Sequence, residues 1–188
     1  MAMSTELQAL RARLILQQCR QGREEGYDGL IRAYERPLFY YIRRLVEREE
    51  DCWDILQDVW VRAFRGIRAV RQAENLSAWL YRVARNCAFD HHRKVPPWET
   101  LPEEDDLGSD TGPDAELHGG FAAEEIHCGL GQLSLPEREA LTLYFLEGFQ
   151  INEIAEITGA PVGTVKSRLH WAKRHLRAVL EKVGGANG

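Results

Sequence analysis

Positively charged side chains are concentrated in one short stretch near the carboxyl end of the chain. Between Val162 and Leu180 the sequence has no acidic residue, although the whole chain has 24 Lys and Arg against 29 Asp and Glu. The cations of this stretch are Lys166, Arg168, Lys173, Arg174 and Arg177. Such groups neutralise phosphates and donate hydrogen bonds to base edges in the major groove of DNA. The stretch therefore favours recognition of a nucleic acid.

These cations lie on the second of two predicted helices that are joined by a three-residue corner. Apolar residues recur at helical spacing in both segments: Ile151, Ile154, Ala155 and Ile157 in the first, and Val165, Leu169, Ala172, Leu176 and Val179 in the second. Gly159 can end the first helix in the left-handed conformation, and Pro161 suits the start of the second. The spacing predicts a helix-turn-helix that reads DNA. A corner of an ordinary helix bundle with a solvated basic face is the alternative.

A second cluster, between residues 75 and 94, combines aromatic rings, cations and amides. Its members are Trp79, Tyr81, Phe89, Arg82, Arg85, Arg93, Lys94, Asn75 and Asn86. Rings stack on unpaired bases and cations neutralise the phosphates, so the combination favours single-stranded nucleic acid. The alternative is that the apolar members belong to the core. We assign Leu80 and Val83 to the core and expect Trp79 to serve both purposes.

A third cluster consists of Asp54, Gln57 and Asp58, which share one face of a predicted helix at spacing i, i+3, i+4. Two carboxylates and an amide on an exposed helix favour docking of a basic partner helix. A metal site or an acid/base pair is the alternative. No His or third acid stands near them in the sequence and no nucleophile is supplied, so an enzyme active site is the weaker interpretation.

Helical periodicity covers most of the chain, and no strand-like alternation of useful length appears. Four helices are predicted over about residues 5–20, 27–46, 51–64 and 76–92, and another over about residues 136–146 precedes the helix-turn-helix. Pro37 predicts a bend or a break in the second helix. The sequence therefore predicts an all-α protein with two small helical domains, residues 1–97 and 129–188.

Residues 98–128 differ in composition from both predicted domains. They include ten acidic residues and no Lys or Arg, whereas residues 1–97 and 129–188 carry formal charges of +4 and +1. Two prolines and a Gly119–Gly120 pair interrupt the segment. This composition predicts an acidic, flexible linker. A merely solubilising spacer is the alternative.

The remaining features point to a cytoplasmic protein without a cofactor. The four cysteines, Cys19, Cys52, Cys87 and Cys128, form no CxxC pair, which predicts reduced thiols. No run approaches the roughly 20 apolar residues that span a bilayer, so no membrane insertion is predicted. His118, His127 and Cys128 lack the usual spacing of zinc ligands, and we predict no metal site.

Four stretches of the sequence together resemble bacterial sigma factors of the extracytoplasmic-function group, group IV of the sigma-70 family. They are DxxQDxxxRxF at 54–64, WLYRVARNxxxDxxRK at 79–94, LxLPEREALTLYFLEG at 133–148 and EIAEITGAPVGTVKSRLHWAKRHLR at 153–177. The resemblance covers nearly the whole chain. It implies a sigma-2-like four-helix domain at 1–97 and a sigma-4-like helix-turn-helix domain at 129–188, and an initiation factor rather than an enzyme.

The resemblance also implies partners and residue roles. The partners are core RNA polymerase (the β′ clamp and the β subunit), promoter DNA and an anti-sigma factor. Docking on the clamp is implied for Asp54, Gln57 and Asp58. Melting and holding of the −10 element is implied for Trp79, Arg82, Asn86, Arg93 and Lys94. Contact with the −35 element is implied for Lys166, Ser167, Arg168 and His170, with Arg138 and Lys173 on phosphates. The linker would thread through polymerase toward the RNA path.

Four residues depart from the family pattern. Gln150 stands where Ser usually caps the helix, Trp171 where a basic residue is common, and His91–His92 is an unusual pair beside the −10 motif. Gln is a poorer N-cap, which predicts a helix start weaker by about 1 kcal/mol at most. A stand-alone helix-turn-helix repressor or activator that binds operators as a dimer is the alternative function.

Overall fold

The computed structural model describes residues 2–46, 48–93 and 129–184, and the side chains of residues 7–46, 48–91 and 129–182. The helices are α1 (Ala2–Arg20), α2 (Glu24–Leu45), α3 (Glu49–Gly66), α4 (Leu76–Arg93), α5 (Leu135–Leu141), α6 (Ile151–Thr158) and α7 (Val162–Gly184). A π-helical turn, Thr142–Leu146, follows α5. No strand occurs in the described ranges, so the predicted all-α class is confirmed. We call α1–α4 the front half and residues 129–184 the rear half.

Helix α2 runs unbroken through Pro37, so the predicted break is absent. A proline inside a helix removes one backbone hydrogen bond and costs about 3 kcal/mol. Burial on both sides of it offsets that cost, because Leu30 and Leu38 are fully buried on the inner face of the same helix. Burying one such side chain contributes about 1.5–3 kcal/mol.

The front half has its own apolar core at the end where α1 crosses α2. This core contains Ile15, Leu16, Cys19, Leu30, Ala63, Ile67, Val70, Leu76 and Leu80. Helix α1 also leaves Leu7, Leu10 and Leu14 exposed on its other side. In the described residues no helix is long and apolar enough to cross a membrane.

A second, larger core joins the two halves, which the sequence did not lead us to expect. The Tyr81 ring of α4 lies 5.0 Å from the Tyr41 ring of α2 and 4.8 Å from the Phe149 ring of the rear half. Leu130 and Leu133 belong to the same buried cluster. The halves are therefore packed against each other through apolar and aromatic side chains.

Buried polar groups cross the same boundary. The Glu139 carboxylate, only 2% exposed, accepts hydrogen bonds from the Tyr41 hydroxyl at 2.8 Å and from the Arg85 Nε at 2.9 Å. The Tyr81 hydroxyl donates to Glu147. We call these five residues the interface cluster. A buried charge needs a partner of this kind, because its transfer from water is otherwise costly.

Burial changes the acidity of several groups in this region. It raises the pKa of the Tyr41 hydroxyl well above its usual value, and the adjacent Glu139 carboxylate acts in the same direction. Burial also raises the pKa of the Glu147 carboxyl and lowers that of the Arg44 guanidinium. The Tyr41 hydroxyl is therefore protonated at neutral pH and can donate to Glu139.

The predicted helix-turn-helix is present in the rear half. Helix α6 ends at Gly159, whose φ is +71°, and the Gly159 N–H donates to the Ala155 carbonyl at 2.9 Å. At the start of α6 the Glu153 carboxylate accepts the N–H of Gln150 at 2.8 Å. Glu153 thus supplies part of the capping that we expected a Gln to provide poorly.

Candidate nucleic-acid and protein interfaces

The three residues of the acidic cluster lie together on the exposed side of α3. Asp54, Gln57 and Asp58 are exposed, whereas Ile55 and Val59 of the same helix are buried. We call the first three the docking face. No group of three or more metal-ligating side chains occurs among the described residues, at this face or elsewhere.

Two exposed apolar side chains that the sequence did not predict as part of a binding surface lie beside the docking face. Trp53 is 53% exposed and its ring lies 4.5 Å from that of Phe39 on α2, and Val61 is 47% exposed one turn after the docking face. The sequence does contain a signal for this surface, because Trp53 lies outside the apolar stripe of α3 and a tryptophan there is exposed. Tryptophan is enriched among the residues that contribute most to binding at interfaces, so its exposure here favours a binding surface.

Three predicted −10 residues share one face of α4. Arg82 and Asn86 are exposed, and Trp79 lies on the same side at spacing i, i+3, i+7. We call these three the reading face. Trp79 is half-buried, and its ring lies so close to α3 that a Cβ added at Gly66 would be 3.0 Å from it. The side chain of Arg93, and the whole of Lys94, lie outside the described residues.

The other aromatic and cationic residues of α4 face elsewhere. Arg85 is paired with Glu139, and its guanidinium lies 4.2 Å from the Phe89 ring. Tyr81 is buried against Phe149. The mixed composition of α4 therefore reflects two surfaces, one exposed and one that holds the halves together.

On α7 the predicted −35 residues separate into two groups. Lys166, Ser167 and His170 are exposed, and we call them the recognition face. Arg168 is half-buried on the flank of the helix, and the Lys173 ammonium lies 5.2 Å from the Phe145 ring. The Ser167 hydroxyl donates to the Thr164 carbonyl at 3.0 Å and to the Gly163 carbonyl at 3.2 Å.

Arg138, the predicted phosphate contact on α5, is bonded to backbone carbonyls in this structure. Its guanidinium donates to the carbonyls of Arg44, Gly131 and Leu133, each at 3.2 Å. The first of these bonds crosses from the rear half to α2 of the front half. Arg138 therefore ties the halves together here, a role that the sequence did not suggest.

Two family models match the chain. The model described as "Sigma-70 region 2" matches residues 30–95, and the one described as "Sigma-70, region 4" matches residues 123–176. The first contains the docking and reading faces, and the second contains the helix-turn-helix.

Curated relatives agree with these models. The chain is 28% identical over 180 residues to the ECF RNA polymerase sigma-E factor of Haemophilus influenzae, covering 90% of this chain and 95% of the relative. It is 31% identical over 150 residues to the ECF RNA polymerase sigma factor SigL of Mycobacterium tuberculosis, covering 78% and 84%.

Solved structures show the same fold. The structure of CnrH in complex with the cytosolic domain of CnrY has a TM-score of 0.67 at 21% identity, covering 92% of this chain and 98% of that one. The sigma factor RpoE from Bartonella quintana, in complex with the anti-sigma factor NepR, has a TM-score of 0.63 at 23% identity, covering 82% and 96%. With regions 2 and 4 matched in order, the chain belongs to the extracytoplasmic-function family of RNA polymerase sigma factors, the factors that direct transcription initiation.

Proposed function

We propose that this sigma factor docks on core RNA polymerase through α3, opens the −10 element with α4 and places α7 in the major groove of the −35 element. The observation that carries the proposal is the exposure of both nucleic-acid faces, each on the segment that matches the corresponding family model. Their side chains reach solvent although the halves are packed together.

The docking face suits a basic, partly apolar helix of the polymerase clamp. Asp54 and Asp58 would attract its cations, and Trp53 and Val61 would bury apolar surface beside them. Tryptophans at the centre of an interface frequently contribute about 2 kcal/mol or more to binding, whereas an exposed charge pair contributes about 0.2–1 kcal/mol. We therefore propose that Trp53 extends the docking face.

The reading face suits the unpaired strand of a melted −10 element. Unstacking a base costs a few kcal/mol, which stacking on a ring and hydrogen bonds to base edges must offset. Trp79 would supply the ring, Asn86 the hydrogen bonds and Arg82 the charge. Arg93, the last residue of α4, and Lys94, the next residue in the sequence, would extend the basic path.

At the −35 element we propose that Lys166, Ser167 and His170 meet base edges. Arg168 and Lys173, on the flanks of α7, would contact phosphates. The same role for Arg138 requires its guanidinium to exchange carbonyl partners for a phosphate, because it is engaged with the front half in this arrangement.

Reading both elements requires the halves to separate. The elements lie about 25 base pairs apart, which is about 85 Å of B-form DNA. In the packed arrangement the ring of Tyr81 on α4 is 4.8 Å from that of Phe149, which adjoins α6. We propose that polymerase binding opens this boundary, and that the predicted linker, residues 98–128, spans the gap. A chain of that length reaches about 100 Å when extended.

We further propose control by an anti-sigma factor in the bacterial cytoplasm. The RpoE sigma factor, which has a similar fold, was solved in complex with an anti-sigma factor. By analogy we propose the same class of partner for this chain. An inhibitor could act by covering the docking face or by holding the halves together.

Run-off transcription with purified core polymerase tests the proposal. The wild-type chain should start transcripts from a genomic template library, whereas Asp58→Lys should neither copurify with core polymerase nor start transcripts. Glu25→Lys is the matched control, because Glu25 is an exposed acid at the start of α2, away from the docking face. Assembly of the Asp58→Lys chain with polymerase would reject the docking assignment. Specific binding to duplex operators without polymerase would instead favour a stand-alone regulator.

A further inference from the structure

Trp171 is a large apolar side chain that α7 leaves in water. It is 42% exposed, whereas Val165, Leu169 and Ala172 of the same helix are buried. At 100° per residue, the side opposite this buried stripe contains Ser167, His170, Trp171 and Arg174. Trp171 therefore lies beside Ser167 and His170 of the recognition face, and it was not among the residues we assigned to the −35 element.

Trp171 forms a cation–π contact with a neighbouring arginine of α7. The Arg174 guanidinium carbon lies 5.0 Å from the centre of the Trp171 ring, and the His170 ring meets that ring edge-on at 5.6 Å. A guanidinium above an indole face is attracted by the ring quadrupole, which restricts the long arginine side chain to one region. The ring and the charge thus form one exposed unit.

We infer that Trp171 and Arg174 form a paired reader of the −35 element, which deepens the proposed function and rests on it. The ring of Trp171 packs against the methyl group of a thymine in the major groove. Arg174, one turn later on the helix, lies over the ring and binds the adjacent phosphate.

The chemistry of the groove supports this division. The C5-methyl group of thymine is the apolar feature that a base pair presents in the major groove, and an indole has no acceptor for a base donor. Later residues of a recognition helix lie nearer the backbone than earlier ones, which places the Arg174 cation at a phosphate. An arginine at position 171 would instead bind guanine through O6 and N7.

Selection from promoters randomised across the −35 region tests the inference with the reconstituted holoenzyme. Wild type should select thymine at one position, Trp171→Ala should lose that preference alone, and Trp171→Arg should select guanine there. Glu181→Ala is the control, since Glu181 is an exposed acid two turns after Arg174 on α7. Unchanged selection by both Trp171 variants would overturn the inference.

Replacement of the selected thymine by deoxyuridine tests the methyl contact directly. Removal of one buried methyl group should weaken wild-type promoter binding about fourfold and leave Trp171→Ala binding unchanged. Equal weakening in both proteins would overturn the contact.

The phosphate contact has its own readout. Arg174→Ala should reduce the slope of log affinity against log salt by about 0.9, and adding Trp171→Ala should reduce it no further. If Arg174→Ala leaves the slope unchanged, or if adding Trp171→Ala reduces the slope further, the pairing of Trp171 with Arg174 is overturned. If the wild-type chain starts no transcripts on any template, the proposed function itself fails; transcripts with unaltered −35 preference reject this inference alone.

Discussion

Individual buried residues determine how this chain responds to its chemical environment, and the thiols are the clearest case. Cys19, Cys52 and Cys87 are free and buried, as expected for reduced thiols, and Cys128 lies outside the described residues. Burial raises the pKa of all three thiols, that of Cys87 to about 11. Because the thiolate is the reactive form, these cysteines should be inert in the native protein.

Ellman's reagent checks this expectation. In a Cys128→Ser chain at pH 8 no thiol should react while the protein is folded, and three should react in guanidinium chloride. The denatured sample is the control for total thiol content. Rapid reaction of any thiol in the folded protein would show that its surroundings open readily.

Glu147 should make the packing of the two halves depend on pH. Burial raises the pKa of its carboxyl, while the hydrogen bond from Tyr81 and the charge of Arg44 act in the opposite direction. The packed state therefore favours the neutral acid. The neutral Glu147 carboxyl therefore stabilises the packed state below the ordinary glutamate pKa of about 4.3. This stabilisation is lost as pH rises through the raised pKa of the packed state.

We therefore expect the separation of the halves, measured by energy transfer between dyes on α1 and α7, to increase as pH rises above the ordinary glutamate pKa. In a Glu147→Gln chain this particular increase should disappear. An identical pH profile in both chains would show that other groups control the packing.

At the scale of elements, the corner before α7 depends on one backbone conformation. Gly159 has a φ of +71°, and a Cβ added there would meet no atom within 4 Å. Replacement by Ala should therefore destabilise the protein by about 1–2 kcal/mol through backbone strain alone.

Gly163 provides the matched control, since a Cβ there also meets open space but the residue lies within α7. Gly163→Ala should stabilise the helix by about 0.5–1 kcal/mol. Urea unfolding followed by circular dichroism measures both changes. Equal effects of the two substitutions would contradict the role of the left-handed conformation.

The helices were predictable because their signals are local. Apolar spacing identified α2, α3, α4, α6 and α7 to within a few residues, and Gly159 with Pro161 identified the corner. The interface cluster gave no local signal, because Tyr41 and Arg85 are 98 and 54 residues from Glu139. Arg85 was consequently grouped with the cations of α4, and Glu139 resembled an ordinary surface acid of a short helix.

At the scale of the whole molecule, the interface cluster should decide whether the halves stay together. Glu139→Ala would leave Arg85 and Tyr41 without their buried partner, and breaking a buried pair costs about 3 kcal/mol. We expect a larger radius of gyration by small-angle scattering and a lower unfolding midpoint.

Glu156→Ala is the control for this change, because Glu156 is an exposed acid on α6. The triple variant Glu139→Leu, Arg85→Met and Tyr41→Phe should restore compactness, since apolar residues of similar size often replace a buried ion pair without loss and no buried hydroxyl is left unpaired. A single variant as compact as wild type would show that the aromatic contacts suffice.

The order of synthesis makes the boundary between the halves exposed for a time. Tyr81 leaves the ribosome 68 residues before Phe149, the ring that covers it. At bacterial elongation rates of roughly 5–20 residues per second, that interval is about 3–14 s. During it the nascent chain displays an uncovered aromatic surface to chaperones and to neighbouring nascent chains. Messages truncated before the rear half would make this exposure permanent, and such fragments should accumulate as aggregates.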